Sequence, residues 1–136
     1  MRAVVGEAGG YRDGPSDRVR VLFCFGVTQT FFDSEPTTIP VVISALEDAF
    51  ARLEERFSVR VLGTLDDDEL MVGASATWPW TAYILADAPD LDAVRRVTNL
   101  VRETEVGDHR LWRYIRVEAR VGRPLFFGDD QASPVV

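Results

Sequence analysis

The order in which the hydrophobic period changes along the chain limits its fold more than any other feature. Residues 19 to 28, VRVLFCFGVT, alternate, with Val21, Phe23 and Phe25 on one side and Leu22, Cys24 and Gly26 on the other. A helical segment follows. Thr38 stands as its candidate cap, Pro40 falls in the first turn, and Val42, Leu46, Ala49, Phe50, Leu53 and Phe57 recur at helical spacing. SVRVLGTL returns to period two and runs into the acidic turn DDDE, and MVGASATWPWTAYILAD gives a third extended segment with a break near Gly73. These two strands are expected to form a hairpin. Asp90 caps LDAVRRVTNLVRET, whose Leu91, Val94, Val97 and Val101 form one stripe. LWRYIRVEARV then alternates until Gly122 and Pro124 break it.

Strand, helix, strand, strand, helix, strand is the split βαβ arrangement, so the expected fold class is α+β, a ferredoxin-like βαββαβ sandwich. Residues 19 to 127 form the expected domain, between a flexible N-terminal arm (1 to 18, rich in Gly and charge) and a flexible C-terminal tail (128 to 136). A chain of 136 residues can bury a working core without metal or disulfide staples.

Two helices cover only one face of a four-stranded sheet, and the other must meet water, a ligand or a partner. The last strand bears on which. Its odd positions Leu111, Ile115, Val117, Ala119 and Val121 are apolar, with Arg113 the exception, and are expected under the helices. Its even positions are Trp112, Tyr114, Arg116, Glu118 and Arg120. Aromatic rings beside three charges suit a half-enclosed polar cavity better than a solvated face. The expected cover is the same face of a second copy, a homodimer forming a dimeric α/β barrel. Trp78 and Trp80, bracketing Pro79 at the entry of the third strand, then fall near the barrel rim. They line a pocket for a planar ring or fill the dimer interface.

Composition narrows the partners. Twenty-two acidic against 15 basic side chains give a net charge of −7, which argues against nucleic acid. VRVLFCFGV is too short to span a bilayer and no signal leader precedes it, so no membrane association is expected and the location is read as cytoplasmic. Cys24 is the single cysteine, lies within an apolar run and reads as a structural thiol. No Gly-rich phosphate cradle, nucleophile elbow or paired-Cys motif occurs, and the acidic run at 66 to 69 lacks the spacing of a calcium loop. No metal is expected.

RVLFCFGVTQTFFD, LDDDELMVG, WPWTAYILAD and LWRYIRVEARVGRPL, in this order and spacing, resemble the small IacB-type proteins of bacterial indole-3-acetate and indole breakdown. The likeness covers about residues 19 to 125, and the Gly-rich arm departs from it. The resemblance implies a ferredoxin-like dimeric barrel that takes a small aromatic ligand, an oxidised indole, and acts as a cofactor-independent oxygenase or related proton-transfer catalyst. The alternative is a non-catalytic protein that binds such an intermediate or an oxygenase partner.

Oxygen chemistry without a cofactor needs a base to form a carbanion or enolate and donors to hold its charge. Arg116 and Arg120 are candidates for clamping a carboxylate or oxyanion, and Tyr83 and Tyr114 for donating hydrogen bonds. Glu118 is the candidate base, or the group that orients the two arginines. Asp33, after Phe31 and Phe32, stands either at the pocket mouth or on a surface loop. His109, the one histidine, is a base near neutrality or a solvated turn residue, and alone it cannot build a zinc site. The expected substrate-binding set is therefore Trp78, Trp80, Tyr83, Trp112, Arg116 and Arg120.

Overall fold

A computed structural model describes residues 18–70, 72–73 and 80–127. The expectations for the C-terminal tail, for Trp78 and for Pro79 lie outside the described residues, as does that for the N-terminal arm except at Arg18. The Arg18 guanidinium donates to the carbonyls of Ser58 and Asp87, each at 2.8 Å.

The chain runs through β1 (Val19–Val27), α1 (Gln29–Phe32), α2 (Ile39–Ala49), α3 (Leu53–Phe57), β2 (Arg60–Asp66), β3 (Ala82–Ala88), α4 (Leu91–Thr98) and α5 (Leu100–Glu103). A small hairpin, β4 (Glu105–Val106) and β5 (His109–Arg110), and a 3-10 turn at Leu111–Arg113 lead into β6 (Ile115–Gly122). The main sheet has the order β2-β3-β1-β6, and all three pairings are antiparallel. That order and the split βαβ connections are those of the ferredoxin-like fold.

β1 takes a central place because both of its faces can be buried. Val21, Phe23 and Phe25 enter the core beneath the helices, while Cys24, of opposite parity, is buried as well. Val42 and Ala49 of α2 and Ala93, Val94 and Val97 of α4 close over that side with Leu100 and Val101 of α5. Asp90 caps α4 as expected, its carboxylate accepting the Ala93 N–H at 2.8 Å. Leu91 is exposed, so the buried stripe is carried by Ala93 and Leu100 instead.

Four local features depart from the sequence expectation. The apolar spacing from Val42 to Phe57 reads as one helix, yet the chain breaks at Arg52, which adopts left-handed φ 53°, ψ 46°. Arg56 compensates by donating to the Ala49 and Ala51 carbonyls at 2.8 and 2.7 Å, supplying partners for the end of α2. Thr38 precedes α2, but its backbone is already helical and its side chain makes no cap bond. Gly73, where a break is expected, takes a φ of 115° that suits glycine, but strand β3 begins only at Ala82.

The fourth departure matters most for the site. LWRYIRVEARV is not a single strand: residues 111–113 form a 3-10 turn, closed by the Tyr114 N–H on the Leu111 carbonyl at 2.9 Å, and β6 starts at Ile115. A period of three replaces a period of two, so Leu111 and Tyr114 fall on the same side. Both are buried in the core cluster. Thr28 pins this junction, donating its hydroxyl to the Arg113 carbonyl at 2.8 Å and its N–H to the Tyr114 carbonyl at 2.9 Å.

Candidate functional site

The sheet face away from the helices is built from alternate residues of all four long strands. Register aligns Glu118, Cys24, Tyr83 and Leu65 in one cross-strand row, and Arg120, Leu22, Leu85 and Gly63 in the next. A further row holds Arg20 and Asp87, joined by an ion pair of 2.7 Å between Nε and Oδ1, with Arg60 opposite Asp87 on β2.

The two halves of this face differ in chemistry. The β6 half is ionic: Arg120 reaches Glu118 at 3.4 Å, and both side chains are about half exposed. Such a pair contributes roughly 0–1 kcal/mol to stability, so its cost is small enough to serve another purpose. The β2–β3 half is apolar and concave. A hollow of about 590 Å³ is lined by Leu22, Leu65, Leu85 and Tyr83, with Gly63 and Asp67 at its margin. A register irregularity between Val61 and Gly63 marks a bulge in β2, and Gly63 faces open space.

Between the halves lies Cys24. Burial pushes its thiol up from its ordinary range, and a hydrogen bond and the positive charge of Arg120 draw it partly back. It remains a protonated thiol at neutral pH, in keeping with a structural role.

Of the sequence-expected residues, Tyr83, Arg116, Glu118 and Arg120 share this face. Tyr83 and Glu118 flank Cys24, about 9–10 Å apart as two strand spacings. Arg116 stands opposite Gly26 at the β6 edge and also borders a shallow depression with Trp112 and Arg102.

The remaining expected residues lie elsewhere. Tyr114 packs in the core, because the 3-10 turn reverses its parity. For the same reason Trp112 leaves the row of Arg116, Glu118 and Arg120. It is 54% exposed, with the Arg102 guanidinium 5.5 Å from its ring centroid. His109 sits on the β4–β5 hairpin, whose two-residue turn uses Gly107 at φ 61°, in a surface depression shared with Asp108 and Trp112. Asp33 is exposed at the end of α1, where its carboxylate accepts from the Gln29 amide at 3.0 Å. Trp80 is buried just ahead of β3, next to Tyr83.

Sequence reasoning missed Asp67. It lies within the acidic turn DDDE, but its N–H donates to the Thr81 carbonyl at 2.9 Å, and the Thr81 N–H in turn donates to the Phe25 carbonyl at 2.9 Å. Asp67 is therefore half-buried between exposed Asp66 and Asp68, and its Oδ2 takes a hydrogen bond from the Tyr83 hydroxyl at 3.3 Å. The same hydroxyl also donates toward the Trp80 carbonyl at 3.2 Å, so its one proton is shared between the two acceptors. No group of three or more metal-ligating side chains occurs among the described residues, nor does any described helix have the length and apolarity to cross a membrane.

No known family model matches the chain, and no curated protein matches it either. Among solved structures it is similar to a dimeric protein of unknown function and ferredoxin-like fold from Bacteroides fragilis NCTC 9343. The identity is 12% and the TM-score 0.37, over 76% of this chain and 95% of the other. The fold assignment rests on the strand order described above.

Proposed function

We propose that the chain works as a cytoplasmic homodimer that binds a small, flat aromatic compound of the oxidised-indole class on its open sheet face and acts on it as a cofactor-independent oxygenase or related proton-transfer catalyst. The observation that carries this reading is the apolar hollow beside Tyr83, set on the same face as the strip of Arg116, Glu118 and Arg120. An apolar hollow with few convergent polar groups suits a planar ring. The dimer is supported by the apolar groups that the face leaves uncovered, Leu65 and Leu85 among them.

In the oxygenase step a substrate C–H proton passes to a carboxylate, for which Glu118 is the candidate, and leaves an electron pair on the ring carbon. Arg116 and Arg120 hold the resulting enolate charge. The pair passes to O2, a C–O bond forms, and a proton on the distal oxygen completes a hydroperoxide. One C–H and one O2 are consumed with no other oxidant.

The engagement of Glu118 by Arg120 favours a second reading, a binding protein in which the carboxylate orients the guanidinium. Purified, metal-free protein is mixed with 3-hydroxyindolin-2-one while oxygen and tryptophan fluorescence are followed. Stoichiometric oxygen uptake is expected from the enzyme. Saturable quenching without uptake selects the binding protein, and neither signal removes the compound class.

A further inference from the structure

The proposed ligand class leaves open how the hollow orients a ring, and Asp67 supplies an answer that rests on that reading. The margin of the hollow carries one carboxylate, held from both ends. Its backbone is tied to Thr81 beside β3, and its Oδ2 accepts from Tyr83. A carboxylate has about four acceptor positions, and the Tyr83 hydroxyl takes one. Next to Leu22, Leu65 and Leu85, the rest of that acceptor capacity meets the edge of any ring lying in the hollow. A ring edge there gains most if it offers an N–H, since hydrogen bonds to a charged acceptor are the stronger kind. A ring oxygen at the same position would set its lone pairs against the carboxylate.

We infer that Asp67 is a specificity-determining residue that selects planar rings bearing an N–H donor, with Tyr83 as a positioning residue that fixes its carboxylate. The ring lies over the Leu65–Tyr83 row, its N–H directed to Asp67 and its opposite edge toward Leu22 and Leu85. Recognition of this kind is distinct from the proton transfer proposed for Glu118. It uses a different carboxylate on the other side of the face.

Calorimetric titration with two near-isosteric ligands tests it: indolin-2-one, which carries the N–H, and benzofuran-2-one, in which oxygen replaces it. The intact protein is expected to bind the lactam roughly tenfold more tightly, the size of one hydrogen bond to a charged group. Asp67→Ala should bring the two affinities together, lowering that of the lactam and, with the lone-pair repulsion gone, raising that of the lactone. Asp67→Asn, which keeps a carbonyl acceptor, should restore part of the preference. Tyr83→Phe should weaken only the lactam, and by less than Asp67→Ala. Equal affinities in the intact protein, or a preference that survives Asp67→Ala, overturn the inference while the hollow stands as a ligand site. Binding of neither compound overturns both.

Discussion

The two faces of the sheet come from the same strands, residue by residue in alternation, yet they are put to opposite uses. Toward the helices, Val21, Phe23, Phe25, Ala86 and Ala88 are buried and carry no polar group. Toward the other side the same strands present Leu22, Tyr83 and Leu85 beside Arg20, Asp87, Glu118 and Arg120. The first face holds the fold together by removing apolar area from water. The second mixes apolar and ionic groups that the fold does not need, and such groups are free to be chosen for binding.

That contrast is broken or sharpened by three measurements. The largest effect is expected on the helix side. Phe23→Ala should cost about 3–5 kcal/mol in urea unfolding, whereas Leu22→Ala, one residue away on the open face, should cost far less. Equal losses would mean that the open face is as structural as the other. Next, Leu85→Glu should leave the thermal midpoint of the folded subunit nearly unchanged but weaken the proposed dimer by about 3 kcal/mol, more than a hundredfold in dissociation constant. A two-fold interface meets the substitution twice. Sedimentation equilibrium reads this directly, and a dimer indifferent to Leu85→Glu would have to use another surface. The smallest effect belongs to the ionic strip. Glu118→Gln should change stability by roughly 0–1 kcal/mol and the difference should shrink in high salt, since the pair with Arg120 is half exposed. A larger, salt-insensitive loss would show the strip to be part of the scaffold.

The helix-facing side was legible in the sequence because β1 is regular throughout, so counting by twos from Val21 finds the core. Asp90 was legible for a similar reason, as its cap bond is local and depends on residue type. The candidate site was only partly so. Parity was carried correctly from Arg116 to Arg120, but it failed at Trp112 and Tyr114, where three residues of 3-10 turn shift the phase. No residue in LWR marks that turn; it is set by distant bonds from Thr28 and by Leu111 donating to the Thr104 carbonyl at 2.8 Å. The helix that breaks at Arg52 is a like case, because the apolar spacing runs on undisturbed through a left-handed arginine. Asp67 was hidden among neighbours of its own kind, and what separates it from Asp66 and Asp68 is tertiary: its bond to Thr81 and the proximity of Tyr83.

The bulge between Val61 and Gly63 also has a consequence for the border of the sheet. Among the described residues β2 is the outermost strand on its side of the sheet, and an uninterrupted outer strand is a template on which a second chain can continue the ladder. The misaligned segment spoils that template, and charged Arg60 and Asp66 guard the two ends of the strand. Lateral growth into ribbons is thus disfavoured at this border.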